Sequence, residues 1–284
     1  MILEKAQLSA DVYQLTIDAP YIAEARKAGQ FIILQLNSNF GERIPLTIAD
    51  ADEEKGTVTI IFQAVGKTTL NLAAQEVGSS IENVLGPLGN PTVIKNVGTV
   101  VCVGGGIGVA PMHPIVQAYK KAGNKVITIM GARNKDLLIL EEEMKRWSDE
   151  LIVCTDDGSY GRKDLVTVPL KELCEAGIPN EVVGIGPPIM MKFVAETTRP
   201  YGVHTMVSLN TIMVDGTGMC GGCRVTVGGE VKFVCVDGPE FDGHKVDFDT
   251  MMMRLKAYKK QETDAAHKCR VGQAPVASGQ GATK

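Results

Sequence analysis

The chain has no excess of basic residues: 29 Lys and Arg stand against 33 Asp and Glu, a net charge of −4. A nucleic-acid binder normally carries a basic excess or patch, so that class is excluded. It also has no clean apolar span. The longest uncharged run, Val97 to Tyr119, is long enough to cross a bilayer, but Gly104-Gly105-Gly106, Gly108, Pro111, His113 and Pro114 interrupt it. A membrane helix is therefore not expected. The start carries Glu4 and Lys5 and no basic-then-apolar leader, so the cytoplasm is the expected location. Nor is there an even set of cysteines. Cys102, Cys154, Cys174, Cys220, Cys223, Cys235 and Cys269 number seven, which without a leader does not describe a disulfide framework. No internal repeat is visible.

What is present is an ordinary globular composition, 44% hydrophobic and 22% charged, over 284 residues. That length suits one large domain or two modest ones with an appendage. The first hundred residues read as β structure. Val12 to Ile17 alternates, and Phe31 to Leu36, Ile44 to Ile48 and Val58 to Phe62 are apolar and β-branched. Short Gly- and Asp-punctuated spacing predicts a small antiparallel barrel or sandwich, with one helix over Thr68 to Gln75. After Asn96 the rhythm changes. Strands over Thr99–Val103, Val126–Met130, Leu151–Thr155 and Val182–Ile185 alternate with helices to about Lys121, over Leu137–Trp147, Asp164–Ala176 and Pro188–Thr198. Such alternation predicts a parallel sheet covered by helices. From Val203 to about Asp249 the chain is Gly- and Cys-rich, with two short strands, Arg224–Val227 and Val231–Val234. It is too short for a substantial core, and a metal centre is expected to hold it together. A helix around Leu255 follows, and the Gly/Ala/Ser-rich end from Gly272 is expected to be flexible. The expected division is 1–96, 97–202, 203–250 and 251–284.

Three loops follow parallel strands, where open parallel sheets bind ligands. Gly104-Gly105-Gly106-Ile107-Gly108-Val109-Ala110-Pro111 opens a helix, and its glycines let backbone N–H groups approach a pyrophosphate. It departs from the dinucleotide fingerprint G-x-G-x-x-G, because Val109 stands at the third glycine. The acid expected after the next strand is replaced by Gly131-Ala132-Arg133. The plain alternative is a tight strand-to-helix turn. Asp156-Asp157-Gly158 and Gly184-Ile185-Gly186-Pro187-Pro188-Ile189-Met190 complete the set.

Cys220-x2-Cys223 with Cys235 beyond a short hairpin is a metal-type spacing. With Asp215 five residues before Cys220, it overlays the plant-type [2Fe–2S] pattern C-x4-C-x2-C…C, Asp in the first position. Gly216, Gly218, Gly221 and Gly222 would let the loop wrap a cluster. Three cysteines and a carboxylate also suit zinc.

Arg43-Ile44-Pro45-Leu46-Thr47, then the Gly106–Pro111 turn, then Gly186-Pro187-Pro188-Ile189-Met190 come in the order of the ferredoxin-NADP reductase superfamily, which the first 200 residues resemble. The resemblance implies a flavin barrel followed by a nicotinamide domain. Ile185 departs from the Cys that often precedes the last motif. It implies FAD held by Arg43, Pro45, Leu46 and Thr47, with Phe62, Ala64 and Gly66-Lys67-Thr68-Thr69 further on. Arg43 would pair with the pyrophosphate. Ile61 stands where a Walker loop needs Gly, so ATP is excluded. It implies NAD(H) against Gly105, Gly106, Ile107, Gly108, Ala110, Pro111, Gly131, Ala132, Arg133, Asp156, Asp157, Gly158, Gly186, Pro187 and Met190. A carboxylate at Asp156 or Asp157 near the ribose would favour NAD over NADP, the alternative being an Asp-rich turn.

With the stretches Asp215 to Cys223 and Cys235-Val236-Asp237-Gly238-Pro239, the whole chain resembles electron-transfer subunits of dihydroorotate dehydrogenase. The Asp215 exchange and His267-Lys268-Cys269-Arg270 bring it nearer the small subunits of NADH-dependent reduced ferredoxin:NADP oxidoreductase, a family also labelled sulfide dehydrogenase. The resemblance implies hydride exchange between NAD(H) and FAD, then single electrons through a [2Fe–2S] cluster on Asp215, Cys220, Cys223 and Cys235. They would pass to a larger flavin and iron–sulfur partner, which makes the ferredoxin contact. No residue of the chain is then needed as a catalytic acid or base, and His113, His204, His244 and His267 are expected to be structural or surface residues. The dihydroorotate dehydrogenase role is the runner-up, and a redox-sensing iron–sulfur protein or a zinc-stabilised flavin reductase are further alternatives.

Overall fold

A computed structural model describes residues 1–37 and 41–273. Most of the expected flexible tail, 274–284, lies outside the described residues. The first module comprises β1 (Ile2–Gln7), β2 (Val12–Asp18), α1 (Pro20–Ala25), β3 (Phe31–Gln35), β4 (Arg43–Asp52), β5 (Thr57–Gln63), α2 (Lys67–Ala73) and β6 (Asn83–Leu88). Its six strands pair antiparallel in the order β1-β2-β5-β4-β3-β6. Side chains alternate across a strand, and here both faces are used. Leu15, Ile17, Ile48, Ile60 and Phe62 enter the module's own core. Their neighbours Val12, Ala49 and Ile61 point the other way, into the core of the next module. The β-branched runs that announced these strands are thus buried on two sides.

The second module comprises β7 (Thr99–Gly105), α3 (Val109–Lys121), β8 (Lys125–Ala132), α4 (Glu141–Trp147), β9 (Glu150–Thr155), α5 (Thr167–Glu175), β10 (Glu181–Ile185), α6 (Pro188–Thr198) and β11 (His204–Ser208). The last stretch comprises β12 (Arg224–Val227), β13 (Glu230–Phe233), α7 (Val234–Asp237), β14 (Glu240–Asp242), α8 (Phe248–Leu255) and α9 (Lys259–Gln273). The second sheet runs β14-β11-β10-β7-β8-β9, parallel except for β14 at one edge. It therefore takes two strands, β11 and β14, from 203–250. Its central strands are apolar on both faces, as a covered parallel sheet requires. Val100 and Cys102 face α3, while Val101 and Val103 join residues of α5 and α6.

Two local expectations need correction. The helix over Leu137–Trp147 begins only at Glu141. Leu140 sits in the left-handed region at φ 57° and breaks it, and Glu141, Glu142 and Glu143 then complement the helix dipole. Val234 ends no strand; it opens the short helix α7.

The cysteine-bearing stretch gains its apolar packing from its neighbours. Cys223, Val225, Val234, Cys235, Phe248 and Met251 pack in one cluster with Phe31 and Ile33 of β3 and Met191 and Ala195 of α6. A metal centre is therefore not what alone holds this stretch in place. Beyond it, α9 crosses back to α2. There Cys269 Sγ donates to Asn71 Oδ1 at 3.2 Å.

Candidate functional site

The nucleotide crevice is built by backbone packing. β7 is the first strand of its sheet, with β8 and β9 on one side and β10 and β11 on the other, so the chain reverses direction between β7 and β10. Ligands bind such sheets beyond the strand ends at that switch point. Gly105 ends β7, and a short 3₁₀ turn over Gly106–Gly108 leads into α3. A Cβ on Gly108 would stand 2.4 Å from the Ile185 carbonyl oxygen and 2.7 Å from Gly186 Cα. One on Gly105 would stand 2.4 Å from Met190 Sδ, and one on Gly186 would stand 2.8 Å from Met190 Cε. The turn and the Gly186–Met190 loop thus interlock, and their glycines are what let them close.

The other two loops meet each other. Asp156 N–H donates to the Ala132 carbonyl at 3.1 Å, and Asp157 N–H to that of Arg133 at 3.2 Å. The structure also separates the two aspartates. Asp157 Oδ1 accepts the Ser159 N–H at 2.9 Å, and the hydroxyl and amide of Ser159 hold its carboxyl below the usual carboxylate range. Asp156 is exposed, and among the described residues its carboxylate makes no hydrogen bond or ion pair. Arg133 is exposed on the same rim.

The flavin motif lies on β4, which α3 covers. His113 of α3 is buried and places its ring Nδ1 3.4 Å from the Ala49 carbonyl oxygen, a structural role in the joint. Arg43, half-buried at the start of β4, makes no side-chain hydrogen bond or ion pair among the described residues, so its guanidinium is open to an anion. In the Gly66–Thr69 turn both threonine hydroxyls are taken. Thr68 Oγ1 donates to Glu42 Oε2 at 2.5 Å. Thr69 Oγ1 accepts the Val65 and Gly66 amides at 3.2 and 3.0 Å. Glu42 was not singled out in the sequence; its place beside Arg43 was the one available signal. The Phe62 ring is buried in the barrel core and stacks on Tyr13 at 6.2 Å. β5 itself reaches the Gly106–Gly108 turn, so the strand beside the expected flavin motif adjoins the expected nucleotide turn.

The four residues expected to hold a cluster form two pairs. Cys223 and Cys235 are buried with their sulfurs 3.2 Å apart. Burial first, and then the neighbouring Cys223, push the Cys235 thiol up to about 12. On the rim, Asp215 Oδ2 accepts the N–H of exposed Cys220 at 2.7 Å, and Oδ1 accepts that of Thr217 at 3.0 Å. The Thr217 amide, followed by that of Cys220, keeps the Asp215 carboxyl below the usual range. Among the described residues no three His, Cys, Asp or Glu side chains converge on a point that would hold one metal ion. Two adjacent pairs suit a two-iron cluster, whose four protein ligands are shared between two metals, better than a single zinc. Soft thiolates on three of the four positions also suit iron–sulfur chemistry.

Comparison with known proteins agrees with this layout. Residues 102–196 match the oxidoreductase NAD-binding domain, and residues 210–247 match the iron–sulfur cluster binding domain of dihydroorotate dehydrogenase B. A dihydroorotate dehydrogenase B electron transfer subunit homolog from Thermotoga maritima is 48% identical over 92% of both chains. The electron transfer subunit of Fusobacterium nucleatum is 31% identical over 87% of this chain and 96% of its own. A solved structure of NADH-dependent reduced ferredoxin-NADP oxidoreductase, described for flavin-based electron bifurcation, covers 94% of this chain and 96% of its own at 46% identity, TM-score 0.89. A ferredoxin NADP+ reductase from Neisseria gonorrhoeae, at 19% identity and TM-score 0.58, shares the fold. The chain belongs to the family of dihydroorotate dehydrogenase B-type electron-transfer subunits, NAD(H)-dependent flavin and iron–sulfur oxidoreductases on the ferredoxin-NADP reductase fold.

Proposed function

We propose that this chain is the NADH-side subunit of an electron-bifurcating NADH-dependent ferredoxin:NADP oxidoreductase, and that it serves a larger flavin and iron–sulfur partner. The observation that carries the reading is spatial order. The nucleotide loops, α3, flavin strand β4, its neighbour β3 and the cysteine loop lie in succession. NAD(H) chemistry at one end and a one-electron carrier at the other would thus bracket the flavin strand. Bound FAD supplies the exchange between hydride and single-electron chemistry, and a [2Fe–2S] cluster carries the single electrons onward.

The chain's own residues bind and orient. Gly105, Gly106, Ile107 and Gly108 present backbone amides to the dinucleotide at the start of α3, with Ala110 and Pro111 continuing the turn. Gly186, Pro187 and Met190 close the crevice over it. Gly131, Ala132, Arg133 and Gly158 shape the adenosine rim, where Asp156 accepts from ribose hydroxyls. Arg43 would pair with the flavin pyrophosphate, and Pro45, the Leu46 backbone and the Thr47 hydroxyl would hold the flavin ring. Ala64, Gly66 and Lys67 add backbone and charge. Asp215 with Cys220, and Cys223 with Cys235, hold the cluster. Asp215, a harder and weaker donor than thiolate, shifts its potential.

Met219, Val214 and Val236 stand exposed around the cluster loop and would meet the partner. Anaerobic purification from the source, with identification of the accompanying protein, tests the assignment. A large flavoprotein rich in ferredoxin-like cysteine motifs is the expected companion. A dihydroorotate oxidase in its place would move the chain to pyrimidine synthesis, the second reading, which the match at residues 210–247 favours. A chain purified alone and holding zinc would sink both.

A further inference from the structure

The cluster loop meets the flavin module at a crowded point. Gly216, directly after Asp215, has φ +76°, and a Cβ there would stand 2.6 Å from Ile33 Cγ1 and 2.8 Å from Leu88 Cδ1. Ile33 is only 1% exposed. Its backbone is registered against Pro45 of the flavin motif on one side and Leu85 on the other. The next residue along β3 toward the N-terminus, Ile32, pairs with Leu46. One residue therefore belongs to the strand beside the flavin motif and at the same time supports the loop that carries a cluster ligand.

The surroundings keep this contact from being diffuse. Cys223, Cys235 and Met213 lie in the same apolar cluster as Ile33 and Phe31. A second seat lies nearby. The Asn90 N–H donates to the Gly238 carbonyl at 2.7 Å, and Asn90 Nδ2 to that of Val236 at 3.1 Å. A Cβ on Gly89 would stand 2.8 Å from the Phe31 ring and 2.9 Å from Pro239. The hinge-like freedom of a glycine loop is thus cancelled at two places on the β3–β6 side of the barrel. Close-packed interiors transmit such displacements instead of absorbing them.

We propose that Ile33 and Gly216 form a positioning pair, in which the Ile33 side chain registers the cluster loop against the flavin strand and so sets the flavin-to-cluster separation. The inference rests on the proposed electron-transfer function. Neither residue bears a group that reacts; both act through the placement of Asp215 and its loop.

The test uses the full chain loaded with FAD and iron, and reads the magnetic coupling between one-electron-reduced flavin and reduced cluster by pulsed EPR. That coupling falls with the inverse cube of distance. Gly216→Ala must open the 2.6 Å approach toward the roughly 3.5 Å at which carbons rest, so the loop moves out by about 1 Å and the coupling weakens. Ile33→Ala removes Cγ1, the nearest atom, together with Cδ1 at 3.3 Å, and lets the loop settle inward as far as Leu88 Cδ1 allows, so the coupling strengthens. Opposite signs in the two variants, at full FAD and iron content, are the expected result. Coupling equal to wild type in a fully loaded variant overturns the inference while leaving the function intact. If Gly216→Ala loses its iron, Ile33→Ala decides alone. Wild-type protein without FAD, iron or measurable coupling sinks the function itself, which separates the two failures.

Discussion

The nucleotide crevice and the cluster loop are both rich in glycine and, Gly106 and Gly216 apart, for different physical reasons. In the crevice a side chain at Gly105, Gly108, Gly131 or Gly186 would collide with backbone or core atoms at 2.3–2.8 Å. These glycines permit close approach. In the cluster loop a Cβ on Gly218 or Gly221 would meet its nearest neighbours only at 3.2 and 3.6 Å, but both have positive φ, +85° and +64°. Those glycines permit handedness. The loop's apolar support comes from β3 and α6, and on its polar rim the Asp215 carboxylate accepts the Thr217 and Cys220 amides.

The contrast predicts unequal damage from the same substitution. Gly108→Ala drives a methyl into the Ile185 carbonyl, an overpacking that costs about 3 kcal/mol and reopens the crevice. NADH affinity should fall at least tenfold, and the urea midpoint should drop. Gly221→Ala meets only the left-handed penalty of about 1 kcal/mol. NADH binding and iron content should stay near wild type. Titration of NADH beside denaturation of each variant checks both. Equal losses in the two would erase the distinction.

The same contrast explains how much could be read from sequence. Local period and glycine spacing announced β2, β3, β4, β5 and all the parallel strands from β7 to β10, because each buries apolar residues in its own pattern. The three strand-end loops and the Asp215 to Cys235 spacing were legible for the same reason: their chemistry is local. β14 was not legible, since Glu240–Asp242 has three residues and no apolar pattern. It is a strand because it pairs antiparallel with β11, Met206 opposite Asp242 and Ser208 opposite Glu240. The partners of Glu42 and Gly216 were hidden as well. Thr68 is 26 residues from Glu42, and Ile33 is separated from Gly216 by most of two modules. Asp156 and Asp157 looked equivalent until a hydrogen bond to Ser159 told them apart.

The seam between the regions makes a smaller prediction. Glu240 accepts a hydrogen bond from Thr92 Oγ1 at 2.6 Å, and Gly29 leaves space for the carboxyl, since a Cβ there would stand 3.0 Å from its Oε1. Burial pushes this carboxyl up to about 7, the Thr92 hydroxyl opposes the rise, and negative Glu181 adds to it. The native state therefore holds a proton that the unfolded chain releases near pH 4.5. The associated stability is fully present below pH 4.5 and is lost as pH rises through 7, by about 3 kcal/mol in all. Glu240→Gln keeps an acceptor for Thr92 and removes the titration. At pH 8 the variant should be about 2 kcal/mol more stable than wild type, and at pH 5 the two should converge. Urea midpoints across that range read the slope; parallel profiles would remove Glu240 as its source.

The smallest effect concerns the crevice rim, where a side chain and not the backbone decides. Asp156 offers a free carboxylate, whereas Asp157 is tied to Ser159. A carboxylate at the ribose accepts from its hydroxyls and repels a 2′-phosphate, while the nearby Arg133 would attract one. Asp156→Ser removes the repulsion and leaves the guanidinium, so discrimination between NADH and NADPH should shrink about tenfold, equivalent to about 1.4 kcal/mol. Asp157→Asn should leave that ratio unchanged, because its oxygen serves the turn. Anaerobic stopped-flow reduction of the flavin by each nucleotide measures the ratio directly. A wild-type chain reduced faster by NADPH would reverse the assignment. An altered ratio in Asp157→Asn alone would move it to the neighbouring residue and show that the Ser159 bond yields when nucleotide binds.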